Sequence, residues 1–311
     1  MKRTAVTLGS PNGISPETAV KALNLLNPPA ERIILIGNND ILKYYADEYG
    51  LYLNKEYEII NIPFDIKALK TGCETKEGGE FSFQALKKAC MLAKDGIVNS
   101  IVTAPVSKNE MKLAGHNFSG QTEVLEHYLA EGNQKAEMVF ACSKFCVMLM
   151  TRHIALSRVS GFIKKEQLVN RIEKLSECLE KQLGIKSPSF AVCALNPHAG
   201  ENGMFGDEEI KEINPAVKEL QSRGINIEGA FPADALFAHL NPDNPEYSCY
   251  IAMYHDQGLI PVKMLESNCV NVSLGLKALR TSPAHGTAFD IAGKNKADES
   301  SMANALKLAL K

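Results

Sequence analysis

Residues 164–206 read KKEQLVNRIEKLSECLEKQLGIKSPSFAVCALNPHAGENGMFG, and the order of patterns within them decides the fold class. Across 164–183, Leu168, Ile172, Leu175, Leu179 and Leu183 recur at intervals of three and four, which lines one stripe of an α-helix. An apolar run of strand length, 189–194, comes next. A polar, glycine-rich loop at 196–206 closes the stretch. Helix, buried strand and loop in that order belong to a βαβ unit, so a mainly parallel sheet is expected.

The same alternation extends in both directions. Strands are expected at 4–8, 32–36, 58–62, 100–103, 145–150, 250–253 and 270–273, with helices at 79–94 and 300–310. Residues 205–220 read as helical in their C-terminal part, where Pro215 interrupts the pattern. At 311 residues the chain suits two α/β domains. Hydrophobic residues make up 45% and charged residues 23%, which excludes a disordered or fibrous chain. Thirty-four basic residues against 36 acidic ones give a net charge of -2, so no overall field draws in nucleic acid. No run of about 18 apolar residues occurs, and no membrane span is expected. Eight scattered cysteines without a CxxC pair, and no secretory signal ahead of them, read as reduced thiols of a cytoplasmic protein.

Polar, glycine-rich stretches cluster where strands end, at 9–16, 103–108, 119–123, 196–206, 254–258 and 280–287. In open α/β sheets, ligands bind beyond the carboxyl ends of the strands. The GxGxxG, GxxxxGK[ST], GxSxG and HExxH patterns are all missing, which removes the usual Rossmann, P-loop, α/β-hydrolase and zincin readings.

Three histidines follow strand-like runs: His153, His198 and His255. Imidazoles converging at strand ends would make an open metal site, whereas separations of 45 and 57 residues equally fit three unrelated loop residues. A second group is cationic. Lys263 ends the apolar run 260–262, Asn271 and Arg280 flank 272–276, and Lys108 ends 103–107. An arginine, a lysine and an amide donor suit a phosphate or carboxylate, and ordinary surface charge is the alternative for each. Residues 119–123 enter a helix whose positive end suits an anion, or whose start is simply capped.

Taken in order, the runs 103–108 (TAPVSK), 196–201 (NPHAGE), 231–234 (FPAD), 254–258 (YHDQG), 280–282 (RTS), 285–288 (HGTA) and 292–298 (AGKNKAD) resemble the 4-hydroxythreonine-4-phosphate dehydrogenase family of vitamin B6 biosynthesis. The resemblance covers nearly the whole chain. It implies two α/β domains of the isocitrate and isopropylmalate dehydrogenase type with an active-site cleft between them. The expected segments are 1–120 with 281–311, and 121–280, the latter carrying the metal ligands and dimer contacts. By matching position, His153, His198 and His255 would bind one divalent ion (Zn, Mg, Co, Mn or Ni) in a homodimer with shared active sites. Gln121, Thr122, Lys263, Asn271 and Arg280 would bind substrate, with Lys263 as the proton-transfer group. The implied reaction is oxidation, with decarboxylation, of 4-phosphohydroxy-L-threonine by NAD or NADP. Two alternatives are a paralogue acting on D-threonate or D-erythronate 4-phosphate and a non-catalytic metabolite-binding protein.

Three departures stand out. The first loop of the family usually reads Gly-Asp-Pro-Ala-Gly-Ile-Gly-Pro-Glu, whereas Ser10, Asn12 and Ser15 replace its Asp, Ala and third Gly here. Gln121 replaces the His of Gly-His-Thr-Glu, exchanging a group that can carry charge for a neutral amide. Glu266, Asn268 and Cys269 stand where a Gly and a basic residue are usual. Gln121 and Ser10 are the features that favour the paralogue.

Overall fold

The computed structural model describes residues 2–132 and 134–311. In chain order the strands are β1 (Thr4–Thr7), β2 (Ile33–Gly37), β3 (Glu58–Asn61), β4 (Ser100–Thr103), β5 (Glu137–Ala141), β6 (Cys146–Leu149), β7 (Ser189–Cys193), β8 (Asn226–Phe231), β9 (Cys249–Ala252), β10 (Val270–Leu274) and β11 (Leu279–Pro283). The α-helices are α1 (Ser15–Leu26), α2 (Asn39–Glu48), α3 (Lys76–Lys94), α4 (Lys108–Leu113), α5 (Gln121–Leu129), α6 (Val159–Phe162), α7 (Lys165–Leu183), α8 (Asn214–Ser222), α9 (Ala233–Ala238), α10 (His255–Leu265) and α11 (Ser300–Ala309). Among the described residues, no helix is long and apolar enough to cross a membrane.

The chain divides into two compact units. The first comprises the residues up to Ala136 together with Val270–Lys311. Its strands lie in the order β3-β2-β1-β4-β11-β10, parallel except for the β10–β11 pair. Ile33, Ile34, Leu35 and Ile36 are all fully buried, as strands covered on both faces by helices require. The second unit is Glu137–Cys269, ordered β5-β6-β9-β7-β8, with only β5 antiparallel to its neighbour.

The division falls inside the expected segment 121–280. Helix α5 stays with the first unit because Val124 packs with Phe83 and Leu86 of α3. The β10–β11 hairpin stays there because β11 pairs with β4. Gln121, Thr122, Asn271 and Arg280 therefore all belong to the first unit.

All eight expected strands are present, and one local expectation needs correction. Lys263 does not end a strand: it sits in the last turn of α10, whose buried face is Gly258, Leu259 and Val262. Pro215 lies within one helical run, π-helical over Glu209–Ile213 and α-helical over Asn214–Ser222, so the expected interruption takes the form of a change in helix type just before the proline. Leu86→Ala should remove about 2–5 kcal/mol of stability, read by urea denaturation, because that fully buried side chain seats α5 on α3.

Candidate functional site

In the second unit, β6, β9 and β7 are adjacent and parallel, so their carboxyl ends share one sheet edge. His153 follows β6, His255 follows β9 and His198 follows β7. All three histidines thus follow strands that end at this edge.

The ends of β6 and β9 are tied together. Thr151 donates from both its amide (3.1 Å) and its hydroxyl (2.7 Å) to Met253 O. Arg171 of α7 donates to Met150 O at 2.6 Å and is itself held by Glu137 Oε2 at 2.8 and 3.0 Å. The rings of His153 and His255 consequently stand 5.9 Å apart, centre to centre. His255 Nδ1 pairs with Asp256 Oδ1 at 2.7 Å. A carboxylate on Nδ1 leaves Nε2 as the ligating nitrogen, the arrangement common behind metal-bound histidines. Two imidazoles on one tetrahedral ion, at about 2.0–2.1 Å from nitrogen to metal, place their ring centres roughly 5 Å apart, so this pair stands somewhat wider than a shared ion would hold it.

His198 reaches the same edge on an unusual loop. Residues 198–202 all have positive φ (51, 53, 76, 43 and 54°), a left-handed turn inside Pro197–Gly203. For residues other than glycine this conformation costs about 1–2 kcal/mol each. Its base is held by the buried Glu209 carboxylate, which accepts from the amides of Leu195 and Asn196 at 2.8 Å and from Asn196 Nδ2 at 2.9 Å. Gly206, with φ of 138°, closes the loop; a Cβ there would lie 2.4 Å from Asn196 Nδ2. Gln257 joins the two edges, accepting from Met253 N at 2.6 Å and donating to Ala194 O at 2.7 Å. His198 itself stands 6.2 Å from Phe205, ring to ring. Among the described residues, no three His, Cys, Asp or Glu side chains lie close enough together to hold an ion.

The first unit carries a buried cation. Arg280 is buried on β11, donating from Nε to Thr103 Oγ1 at 2.9 Å and facing Ser273 Oγ at 3.5 Å. Burial pushes its pKa down to about 10, opposed by the nearby Glu123 carboxylate and Cys90. At neutral pH it therefore remains a guanidinium. Among the described residues it forms no ion pair; its hydrogen-bond partners are hydroxyls, and the Glu123 carboxylate is near enough to favour its charge. The buried Thr122 lies in the first turn of α5, and Gln121 Nε2 donates to Ala104 O at 3.2 Å. Gly120 admits Lys108 beside the start of α5, since a Cβ there would come within 3.4 Å of Lys108 Cε. Lys263 is exposed on α10 of the second unit, two turns beyond His255.

Ser10 and Asn12 do not face a ligand. Both are fully buried: Ser10 Oγ accepts from Ser107 N at 2.9 Å, and Asn12 Nδ2 donates to Thr75 Oγ1 at 2.9 Å and Glu110 Oε1 at 3.3 Å. Ser15 Oγ donates to Pro105 O at 2.7 Å. Burial raises the pKa of Glu110. These departures join the loops after β1 and β4, and Ser10 carries no argument for an altered substrate.

The family model described as "Pyridoxal phosphate biosynthetic protein PdxA" matches residues 15–309. The chain is 37% identical to the 4-hydroxythreonine-4-phosphate dehydrogenase of Desulforapulum autotrophicum, covering 98% of this chain and 93% of the relative. It is 36% identical to the D-threonate 4-phosphate dehydrogenase of Salmonella typhimurium, covering 99% and 98%. A crystal structure of 4-hydroxythreonine-4-phosphate dehydrogenase from Klebsiella pneumoniae is similar with a TM-score of 0.87 at 34% identity, covering 99% of this chain and 97% of that one.

Glu209→Ala leaves the half-buried amides of Leu195 and Asn196 without their acceptor, while Asn196 Nδ2 keeps Glu208 Oε2. Amide exchange across 195–206 should accelerate roughly tenfold or more while the strands keep their protection, as read by hydrogen–deuterium exchange.

Proposed function

The chain belongs to the pyridoxal phosphate biosynthetic protein PdxA family, and from that premise we propose that it oxidises 4-phosphohydroxy-L-threonine, with decarboxylation, to 3-amino-2-oxopropyl phosphate. The observation that carries this reading is the buried, hydroxyl-partnered Arg280, a receptor for an anionic substrate in the unit that also holds Thr122 and Asn271. Arg280 and Asn271 orient the acid, and Thr122 at the start of α5 helps to hold its phosphate. Lys263 takes up the hydroxyl proton and returns a proton after carbon dioxide leaves.

The imidazoles of His153, His198 and His255 are the residues that would hold a divalent ion (Zn, Mg, Co, Mn or Ni). Bound there, such an ion would supply positive charge near a developing oxyanion, and a nicotinamide cofactor (NAD or NADP) would supply the hydride acceptor. Asp256 orients His255, and Glu209 and Gln257 orient the His198 loop.

A second copy of the chain completes the set in this reading. Leu156, Phe162, Met204, Phe205, Ile260 and Met264 are exposed, and all lie on the segments that carry the three imidazoles. Met204 is 74% exposed and Met264 81%, large apolar surfaces that a partner subunit would cover. A homodimer sharing its active sites follows. D-threonate or D-erythronate 4-phosphate as substrate is a second reading, favoured by Gln121.

The test is NADH formation over a panel of these phosphorylated acids with added divalent ion. Turnover of 4-phosphohydroxy-L-threonine at a kcat/KM above about 10⁴ M⁻¹s⁻¹ is expected, and a tenfold preference for a threonate or erythronate phosphate would move the assignment to the second reading. His198→Ala should lose bound metal by elemental analysis while circular dichroism stays unchanged. Arg280→Lys should lower kcat/KM roughly tenfold or more, because an ammonium cannot make two parallel hydrogen bonds to a carboxylate or phosphate.

A further inference from the structure

The segment after Lys263 departs from the family pattern at Glu266 and Cys269, and the candidate site uses neither residue. Both lie in the second unit, where α10 ends at Leu265 and the chain turns back, Cys269 N donating to Glu266 O at 3.3 Å. The Glu266 carboxylate reaches the turn between β5 and β6. Ser143 donates to its two oxygens from the amide, at 2.9 and 3.0 Å, and from the hydroxyl at 2.8 Å. That turn is closed by Cys142 N, which donates to Phe145 O at 2.8 Å. One carboxylate thus pins the residue after Cys142 to the turn that ends in Cys269.

The two thiols are neighbours. Burial pushes the pKa of Cys269 up to about 11 and raises that of Cys142 as well, and the Glu266 charge adds to both. Cys269 raises the Cys142 pKa further, and such a charge effect falls away unless the sulfurs lie near each other. Cys142 is half-buried, so a small oxidant reaches it, whereas Cys269 is buried. Cys146 also bears on Cys142, less than Cys269 does, but it is buried in β6 in register with the equally buried Cys249 of β9.

We propose that Cys142 and Cys269 form a redox-modification site, which an oxidant joins in a reversible disulfide that ties the end of α10 to the β5–β6 turn. With hydrogen peroxide, the Cys142 thiolate attacks one oxygen, the O–O bond breaks and hydroxide leaves, giving a sulfenic acid. The Cys269 sulfur then attacks that sulfur; the S–S bond forms, the S–O bond breaks, and water leaves with the Cys269 proton. The hydroxide takes up the proton that Cys142 lost. Two thiols have then given up two electrons, and one peroxide has become two water molecules. A dithiol reductant reverses the change by thiol–disulfide exchange. Only the thiolate attacks, so raised pKa values make the pair slow at neutral pH and faster as pH rises. Helix α10 begins at His255 and holds Lys263 in its last turn, so the bridge would tether the element that carries both.

Peroxide treatment of the whole chain, alkylation of the remaining thiols and peptide mapping by mass spectrometry test this without turnover. One Cys142–Cys269 link per chain is expected, removed by dithiothreitol and formed close to tenfold faster per pH unit between about pH 7 and 9. The oxidised protein should melt roughly 5 °C or more above the reduced one, because the bridge closes a long loop of the unfolded chain. Cys142→Ser and Cys269→Ser should each abolish the link and the rise in melting temperature, and Cys73→Ser should abolish neither. Cys142→Ser, at the half-buried position, serves alone if Cys269→Ser does not fold. A Cys142–Cys146 link in place of the expected one would overturn the proposal. So would oxidation of Cys142 to the sulfinic acid without a link, or disulfides formed only through the exposed Cys73.

Discussion

Parallel strands end at a common edge, and the candidate residues of each unit stand at that edge or reach toward it. In the second unit, β6, β9 and β7 deliver His153, His255 and His198 to one edge because all three strands run the same way. In the first, the ends of β1 and β4 are joined through Ser10, Ser107 and Pro105, and β4 supplies Thr103 and Ala104 as anchors for Arg280 and Gln121. Helices packed on the sheet faces bury the strands; the edge stays available for loops, where polar side chains can be held without apolar cover.

Both edges depart from what local stability would favour. The first keeps a guanidinium buried on hydroxyl partners and two amide oxygens without donors. The second keeps five successive residues in the left-handed region around His198. Such features persist only where the surroundings over-determine them. Here the surroundings are identifiable: Glu209 and Gln257 hold one loop, and Thr103 and Ser273 hold the arginine. Conflict between local preference and observed conformation is concentrated at the proposed site, as expected when a ligand completes the structure.

The sheet was legible in the sequence wherever a strand is buried on both faces. Runs such as Ile33–Gly37 have no other plausible environment. The strand β11, with the sequence LRTSP, was not legible, because its burial comes from an arginine, a threonine and a serine that read as loop. Lys263 was misplaced because Ile260, Pro261 and Val262 mimic a short strand, although the burial of Leu259 and Val262 follows a helical face. The histidines and Arg280 were found through strand ends and the family resemblance. Glu209 and Gln257 were missed as functional supports: one sits in an acidic run that looks like solvated surface, and the other acts only through contacts distant in sequence. The burial of Ser10 and Asn12 was equally invisible, since small polar residues after a first strand ordinarily signal a ligand loop.

In the proposed function the imidazole edge holds one ion while Arg280 receives the anion of the same class of substrate. Anomalous diffraction at the zinc edge, from crystals grown with zinc and D-erythronate 4-phosphate, tests it most directly. One zinc peak is expected about 2.1 Å from His255 Nε2, shared with His153, and an acid oxygen within hydrogen-bond distance of the Arg280 guanidinium. Zinc bound away from these imidazoles, or an acid bound without touching Arg280, would contradict it.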